Sequence, residues 1–383
     1  MPRPRNSWPW GEYPRDIVDT VPRVSHTGST AAKFAARPGT RDGERPLVSV
    51  IVVNWNGLAY LPECLDSLDA QTYPSLEIVV VENGSTDGSV DFLRNQPPGR
   101  LRLVESPSNL GFAGGNNLGI RASKGAYVAL LNNDAAADPR WVEALVGAAE
   151  ADPAVGMCAT RIYVWRRPDL LDGAGLLVSA DGIGRGRGRL EADGDRYQRE
   201  ADVLLPSACA ALYRRSMLDE IGLFDEDFFA YCEDTDLGLR ARIAGWRCRY
   251  VPDAIAKHHY SGSTGPHSPF KAFHVERNRI WVVVKCFPLR MALASLVYTM
   301  GRYALQIYAA LIGRGAAAKL AAQQSPWALV GTIGRAWMSA LVRFPEMWRR
   351  RRAIHSAGKI GRRELERLLR VHRVRLSELA LKD

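Results

Sequence analysis

The sequence predicts an α/β fold with an open, doubly wound sheet. Short apolar segments rich in β-branched residues occur four times between residues 47 and 131. Each ends in a polar or glycine-rich turn, and helical stretches with apolar residues three and four apart lie between them. Successive strand–loop–helix units of this kind form sheets with right-handed crossovers. Ligands of such sheets bind outside the carboxyl ends of the strands, so the turns are the candidate functional region.

The individual elements follow from these patterns in order along the chain. The four predicted strands are Leu47–Val53, Leu76–Val81, Leu101–Glu105 and Ala126–Leu131. Helices are predicted over Leu58–Gln71, from Val90, and in the stretch that ends at Ile120. Each apolar run is too short for a helix and long enough for a buried parallel strand.

The alternation loosens after about residue 155. A strand is predicted over Met157–Val164, followed by a loop rich in Gly and Arg around 181–200 and an apolar stretch over Val203–Tyr213. This half is expected to complete the sheet and form the acceptor side. Long helices are predicted beyond Pro288. We therefore expect three regions: a disordered or loosely packed arm at 1–45, a sheet domain at 46–288 and a basic helical tail at 289–383.

The net charge of +10 is unevenly distributed. Residues 1–46 carry +3, residues 47–284 carry −7 and residues 285–383 carry +14. An acidic central region is expected where carboxylates hold a divalent cation. A basic tail containing Trp and Leu suits an anionic membrane surface. The sequence has no zinc-ligand spacing, helix-turn-helix signature or RNA-stacking motif, so nucleic acid is not an expected partner.

The cysteines and the N-terminus predict a cytoplasmic location, on the inner face of the cell membrane. The six cysteines are scattered singly, which is typical of reduced, buried thiols. Arg3 and Arg5 are not followed by a continuous apolar segment of the kind found in secretory signals.

The tail contains one stretch that is nearly apolar enough to cross a membrane. Within Met291–Ile312, Arg302 lies near the middle, where insertion of a charge costs roughly 2.5–3.5 kcal/mol. We therefore expect a helix that lies in the membrane interface. The segment Trp348–Arg352 is expected among anionic headgroups.

Three polar residues at predicted strand ends are candidates for binding a nucleoside diphosphate. Asn54, Glu82 and Asp134 each follow a buried strand, where the base needs a polar partner and the phosphates need backbone N–H groups and a cation. The alternative for each residue taken alone is a turn residue that caps the next helix. Their recurrence at successive strand ends favours the functional interpretation.

Three longer motifs closely resemble family 2 glycosyltransferases, especially bacterial rhamnosyltransferase-like members. They are Ser49–Gly57, Glu82–Ser89 and Asn109–Gly119, which occur in the family's order. The resemblance covers roughly residues 47–288. It implies a GT-A fold, with a nucleotide-binding half, an acceptor half and here a membrane-associating helical extension.

Carried over residue by residue, the resemblance places a nucleoside-diphosphate sugar against the first half of the sheet. Asn132-Asn133-Asp134 resembles the family's DxD-type element, which implies that Asp134 binds Mn²⁺ or Mg²⁺ and that Asn133 lies by the ribose. The family usually has Asp at the position of Glu82, so the base preference stays open. The implied donor contacts are Val53, Asn54, Glu82, Gly111, Asn117, Asn132, Asn133 and Arg277.

The stretch Phe224–Leu237 resembles the family's second signature, with Glu233 and Asp234 as the catalytic pair. Asp234 is the candidate base that takes the proton of the acceptor hydroxyl. The alternative is a cluster of acids favoured at a helix N-terminus. The resemblance also implies that His258 completes the metal site, although a structural or solvated histidine is the alternative.

Two further features remain open. Arg277-Asn278 matches a recurring family pair, and Arg277 either contacts diphosphate or acceptor or forms a helix-surface salt bridge. The Gly-Arg alternation over Gly184–Arg189 is interpreted as a mobile acceptor loop or as a flexible linker.

The resemblance implies an inverting, metal-dependent transfer of a sugar, with rhamnose as the candidate, to a polyprenyl-diphosphate-linked or glycan acceptor in cell-surface polysaccharide synthesis. The alternatives are a processive polysaccharide synthase and an inactive nucleotide-sugar-binding protein. Asn132 and Asn133, which stand where acids are common, favour the inactive protein, whereas the combination of Asp134, Asp234 and His258 favours an enzyme.

Overall fold

The computed structural model describes residues 45–259, 268–313, 315, 318, 319 and 325–381. Except for Arg45, the predicted N-terminal arm lies outside the described residues. The described residues belong to one compact unit that begins at Arg45. The prediction of a doubly wound α/β sheet with a helical C-terminal region is confirmed.

The strands are β1 Val48–Asn54, β2 Leu76–Asn83, β3 Arg102–Ser106, β4 Tyr127–Leu131, β5 Ala135–Ala137, β6 Val155–Val164, β7 Arg167–Ala174, β8 Leu176–Val178, β9 Gly184–Gly186, β10 Ala201–Asp202, β11 Ala210–Arg214 and β12 Arg247–His258. The helices are α1 Leu61–Asp69, α2 Ser89–Arg94, α3 Gly111–Ala122, α4 Trp141–Glu150, α5 Arg215–Ile221, α6 Glu233–Ile243, α7 Pro269–Cys286, α8 Leu289–Leu311, α9 Pro326–Val342, α10 Phe344–Ser356, α11 Arg362–Val371 and α12 Leu376–Leu381.

The main sheet is mixed, and its described strands follow the order β10-β12-β6-β11-β4-β1-β2-β3. The strands β4, β1, β2 and β3 are parallel, as the strand–loop–helix pattern predicted. Strand β11 is antiparallel to both β4 and β6 and joins the two halves. Short strands β5 and β7 pair with β12 and β6 at the same end.

Hydrophobic packing covers both faces of this sheet. Alternate residues of β1 face opposite sides, so Val50 and Val52 pack with α1 and α4 while Ile51 packs with α3, α5 and α6. A third core cluster joins α6 and α7 to α10 and α11, and it includes Trp281 and Met347. Packing therefore continues across residue 288, and the separate tail at 289–383 stays a prediction.

Two stretches of the second half take a definite form in the structure. The apolar stretch Val203–Tyr213 is a strand only from Ala210, in β11, and residues 203–209 form an irregular segment after β10. The Gly-Arg segment forms β9, which pairs with β8. The Arg187 guanidinium lies over the rings of Tyr197 and Tyr250, so this segment is held by packing.

The tail helices contact the sheet domain through arginine. Arg350 pairs with Asp225 and Asp227, and Arg351 donates to the carbonyl oxygens of Val284 and Phe287. These two arginines, which were expected among headgroups, therefore face the protein. None of the described helices is both long enough and apolar enough to cross a membrane.

Candidate active site

The ends of β1, β2 and β4 bring three predicted donor-binding residues together. Asn54 and Glu82 are direct partners in the parallel pairing of β1 with β2. The Asn133 amide nitrogen donates to Oδ1 of Asn54 over 2.8 Å. Gly57 leaves room for this contact, because a Cβ at this position would lie 2.0 Å from Asn133 Nδ2. A larger residue at 57 would therefore displace the hydrogen-bonded side chains of Asn54 and Asn133.

Glu82 organises the turn that follows β2. Its carboxylate is 2% exposed and accepts hydrogen bonds from the backbone N–H groups of Gly84 at 3.0 Å and Ser85 at 2.9 Å. Ser85 in turn lies 3.3 Å from the Asn54 amide nitrogen. Glu82 thus stabilises a turn, which was the alternative interpretation of this residue. It does so next to the predicted binding site of the nucleotide base.

Four other predicted donor contacts are engaged within the protein. Val53 packs against α3, where a Cβ at Gly115 would lie 2.7 Å from its Cγ1. The Asn132 backbone N–H donates to the Cys209 carbonyl oxygen at 2.8 Å. A Cβ at Gly111 would approach the Phe229 carbonyl oxygen to 2.4 Å.

Asn117 is the fourth, and its side chain holds the segment that precedes α6. Its amide nitrogen donates to the Phe224 carbonyl oxygen at 2.9 Å and to Glu226 Oε1 at 2.8 Å. Its amide oxygen accepts from the Phe224 N–H at 3.0 Å. The structure shows Asn117 and Gly111 in contact with residues 224–229, and their contacts with the donor remain predictions.

Asp134 and His258 lie side by side at the end of the sheet. Strand pairing aligns His258 with Ala135, and His258 Nε2 lies 3.2 Å from Asp134 Oδ1. On the other side of the ring, Nδ1 lies 2.7 Å from Asp172 Oδ2. Arg189 pairs with the second oxygen of Asp172. The structure thus forms a chain from the Gly-Arg segment through Asp172 to the predicted metal ligands.

These charges shift the pKa values of both partners. Burial alone would lower the pKa of His258, but the Cys209 thiol and the carboxylates of Asp134 and Asp172 raise it well above its usual range. Burial would raise the pKa of Asp172, but hydrogen bonding to His258 and the charges of His258 and Arg189 lower it. Asp172 is therefore an ionised, oriented partner for the ring.

Asp134 and His258 fit a divalent cation whose remaining ligands would come from a substrate and water. Asp134 lies in the turn between β4 and β5 and His258 ends β12, and the Asp172 contact leaves Nε2 on the Asp134 side. Within the described part of the chain, no group of three or more His, Cys, Asp or Glu side chains is arranged to hold a metal ion. Two protein ligands suit Mg²⁺ or Mn²⁺ that completes its coordination with phosphate oxygens and water.

The predicted base lies just across a short loop from this group. The Ala208 backbone N–H donates to Asp234 Oδ2 at 3.4 Å. The carbonyl oxygen of the next residue, Cys209, accepts a hydrogen bond from the Asn132 N–H at 2.8 Å, and its thiol is hydrogen-bonded with His258. Asp134, His258 and Asp234 therefore border the same segment, and a cavity shared by the three side chains stays a prediction.

Glu233 and Asp234 begin α6 as a crowded pair of carboxyl groups. Burial raises the pKa of Glu233 well above its usual range, and the neighbouring Asp234 charge adds to this effect. Burial also raises the pKa of Asp234, although hydrogen bonds from Ala208 and Thr235 oppose the shift. Among the described residues, Glu233 Oε2 has no hydrogen-bond partner. A raised pKa brings a carboxylate closer to the range of a general base.

The loop before this pair has a strained backbone. Phe229, Tyr231 and Cys232 all have positive φ, at 63°, 69° and 65°. The Ala230 N–H donates to the Phe228 carbonyl oxygen at 2.7 Å, which closes a tight γ-turn around Phe229. Non-glycine residues persist in such conformations only where surrounding contacts hold them.

Arg277 and Asn278 on α7 supply those contacts. The Asn278 amide nitrogen lies within 2.9 Å of the carbonyl oxygens of Phe228, Ala230 and Tyr231. Arg277 donates to the Phe228 carbonyl oxygen at 3.0 Å and to Asn278. The described contacts of Arg277 thus hold the loop before Asp234, and its contact with diphosphate or acceptor remains a prediction.

Two site residues were not selected from the sequence. Asp172 lies 86 residues before His258, and nothing in the local sequence indicates that they meet. Asn278 was noted only as the neighbour of Arg277. The family motif itself was the one signal that could have identified Asn278.

Known proteins support the assignment of class and fold. The chain is 31% identical over 251 residues to the N-acetylglucosaminyl-diphospho-decaprenol L-rhamnosyltransferase of Mycobacterium tuberculosis, which covers 60% of this chain and 81% of that protein. It is 29% identical over 301 residues to the pre-mycofactocin glycosyltransferase of the same species, covering 73% of this chain and 58% of the relative. Among solved structures, GalNAc-T7 with UDP, GalNAc and Mn²⁺ matches with a TM-score of 0.53 at 16% identity, over 64% of this chain and 48% of that one.

The fold and the relatives define a nucleotide-sugar-dependent glycosyltransferase with a GT-A fold. Residues 49–222 match the model of Glycosyl transferase family 2, and the chain belongs to that family.

Proposed function

We propose that this enzyme transfers a sugar, with rhamnose as the leading candidate, from a nucleoside diphosphate to a hydroxyl of a polyprenyl-diphosphate-linked or glycan acceptor. The observation that carries the proposal is the placement of Asp134–His258 and Asp234 beside the same short segment, residues 207–209. The lipid-linked acceptor is proposed because the mycobacterial relative is named for a decaprenol-linked substrate.

In the proposed mechanism the donor diphosphate lies by Asp134 and His258, and its nucleoside lies near Asn54, Glu82 and Asn133. Mn²⁺ or Mg²⁺ bound by Asp134 and His258 would neutralise the charge that develops on the leaving diphosphate. Asp172 keeps the His258 ring oriented, with Nε2 toward Asp134.

Asp234 takes the proton of the acceptor hydroxyl as that oxygen attacks the anomeric carbon. Attack from the face opposite the diphosphate inverts the configuration. Burial raises the pKa of Asp234 and so its basicity, and the Arg277–Asn278 contacts hold the strained loop that positions both carboxyl groups.

The proposed setting is the cytoplasmic face of the cell membrane, with the basic C-terminal region against the lipid surface. A lipid-linked acceptor would be reached there without leaving the bilayer. The proposed role is a single addition in the synthesis of cell-surface polysaccharide.

A donor screen tests this function. Purified protein is incubated with a panel of nucleotide sugars, Mn²⁺ or Mg²⁺ and polyprenyl-diphosphate-linked acceptors, and released nucleoside diphosphate is measured. We expect release with one donor, one sugar added per acceptor and loss of release with a chelator. Repeated additions to one acceptor would identify a processive synthase, and tight donor binding without turnover would identify an inactive binding protein.

A further inference from the structure

Helix α8 has its polarity reversed relative to a normal surface helix. Its buried positions include Ser295, Thr299 and Arg302, whereas large apolar side chains point away from the protein. A helix at a protein–water boundary normally buries its apolar side and exposes its polar side. The exposed apolar residues are Leu293, Leu296, Val297, Met300, Ile307 and Leu311, with exposures between 52% and 81%.

Buried ion pairs fix α8 in this orientation. Arg302 is 3% exposed and donates to Asp181 at 2.6 Å and to Glu276 at 2.9 Å. Thr299 accepts a hydrogen bond from Arg279 at 3.1 Å. Turning the helix to bury its apolar side would leave the carboxylates of Asp181 and Glu276 inside the protein without this partner. The apolar side of α8 is therefore held outward.

Helix α9 repeats the pattern beside α8. Its buried positions are the small or polar residues Thr332, Ala336 and Ala340. The Trp337 indole nitrogen donates to the Tyr303 hydroxyl of α8 at 2.9 Å, so the two helices are neighbours. Large apolar residues again point outward on α9, namely Trp327, Val330, Met338, Leu341 and Val342, with exposures between 55% and 83%.

We propose that these outward side chains of α8 and α9, here called the apolar face, insert into one leaflet of a lipid bilayer. The proposal specifies which residues make the membrane contact described under the proposed function. It rests on that proposed function for the choice of a lipid bilayer as the partner. Basic residues accompany the face: Arg290 and Arg335 are exposed on the same helices, and the net charge of residues 285–383 is +14. Shallow insertion of apolar side chains beside cationic ones is the pattern of helices that lie in the membrane interface.

This proposal replaces adsorption by the Trp348–Arg352 cluster as the main contact. Arg350 and Arg351 of that cluster are engaged by the protein itself. Insertion of apolar side chains does not require anionic lipid and is not abolished by salt, whereas contact between exposed charges is screened within about 10 Å at 0.1 M ionic strength. The two modes of binding therefore differ in their response to lipid charge and salt.

Vesicle co-sedimentation of the full chain tests the proposal. The vesicles are phosphatidylcholine alone or phosphatidylcholine with phosphatidylglycerol, each at low and high salt. We expect binding to both, with salt removing only the advantage of the anionic lipid. The double variant Val297→Glu/Val330→Glu should reduce the vesicle partition coefficient by about tenfold or more on both lipids, because each carboxylate replaces a membrane-inserted apolar side chain.

Val371→Glu is the matched control. Val371 is also a valine on a helix surface, with 64% exposure against 75% for Val297 and 61% for Val330, but it lies on α11. Equal loss in this control, or no loss in the double variant, would overturn the proposal. Binding that needs anionic lipid and disappears at high salt would also overturn it.

Two further readouts separate the remaining outcomes. Analytical ultracentrifugation without vesicles would show a dimer that Val297→Glu dissociates if the face binds a second copy of the chain, and that result contradicts the lipid proposal. Donor hydrolysis should be unchanged in the double variant. A wild-type protein that releases no nucleoside diphosphate but binds vesicles as described would refute the proposed reaction and leave the apolar face intact.

Discussion

His258 shows how one residue far away in sequence determines the chemistry of another. Its ring is held between Asp134 and Asp172, and Asp172 is itself held by Arg189. A carboxylate on Nδ1 fixes the ring orientation and increases the basicity of Nε2, and such partners commonly change metal affinity by 10–100-fold. Asp172 is thus a positioning residue for the proposed metal site.

Replacement of Asp172 by Asn should weaken Mn²⁺ binding by about 10–100-fold, because an amide fixes the ring less firmly than a carboxylate. Isothermal titration of Mn²⁺ into the protein with nucleoside diphosphate present measures this effect. Asp202→Asn is the control, since Asp202 pairs with Arg242 and Arg247 and touches none of the predicted ligands. Unchanged Mn²⁺ affinity in Asp172→Asn would remove Asp172 from this role.

The carboxyl pair at the start of α6 predicts an unusual pH dependence. Burial raises the pKa of Asp234, so the base form should be lost on acidification at a pH above the value of about 3.9 for an ordinary Asp. Burial and the Asp234 charge raise the pKa of Glu233 well above its usual range, so Glu233 is protonated before Asp234 as the pH falls. Glu233→Gln should therefore leave the midpoint of this loss nearly unchanged. Profiles of kcat/KM against pH for both proteins provide the test, and a midpoint that moves clearly in the variant would contradict the account.

At the scale of elements, the strained loop 228–232 and helix α7 act as one unit. The sequence resemblance identified the acidic pair and the Arg277-Asn278 pair separately, because each is a local motif. It could not show that Asn278 holds the loop, since the contacts connect residues about 50 positions apart. The parallel strands and the polar loops at their ends, by contrast, were predictable, because alternating apolar segments and turn residues are local signals.

Asn278→Ala should lower the free energy of unfolding by about 2–3 kcal/mol. It should also reduce the rate of sugar transfer under conditions in which the variant is still folded. The reason is that the carbonyl oxygens of Phe228, Ala230 and Tyr231 lose their shared donor. Denaturant unfolding and kcat at low temperature measure the two effects. Gln71→Ala is the control, because Gln71 makes three comparable hydrogen bonds between α1 and the start of α4. A similar activity in both variants would show that the loop needs no such support.

At the scale of the whole molecule, buried charges join the C-terminal helices to the sheet domain. Burial alone would raise the pKa of Glu276, but the charges of Arg279 and Arg302 lower it to about 2. Composition predicted a basic tail, yet these pairings were not predictable, since Arg302 lies 121 residues from Asp181. The charge of the tail therefore serves partly to attach it to the acidic domain.

Arg302→Leu should destabilise the fold by about 3–5 kcal/mol, because Asp181 and Glu276 stay buried without this partner. The pKa of Glu276 is about 2 in the folded protein and about 4.3 in the unfolded chain. Its ionised form therefore stabilises the fold above pH 4.3, and this contribution is lost as the pH falls toward 2. The variant should therefore lose less stability than the wild type between these pH values. Arg290→Leu, on the exposed side of the same helix, is the control, and equal unfolding free energies in the two variants would refute this account.

The central claim is that Asp134 binds the cation at the leaving diphosphate while Asp234 activates the acceptor, and one paired measurement tests it. Equilibrium binding of the nucleoside diphosphate is measured with and without Mn²⁺ for Asp134→Asn and Asp234→Asn, alongside sugar transfer. Both variants should lose transfer, but only Asp134→Asn should lose the Mn²⁺-dependent gain in binding. Normal transfer by Asp234→Asn, or an undiminished Mn²⁺ effect in Asp134→Asn, would contradict the account.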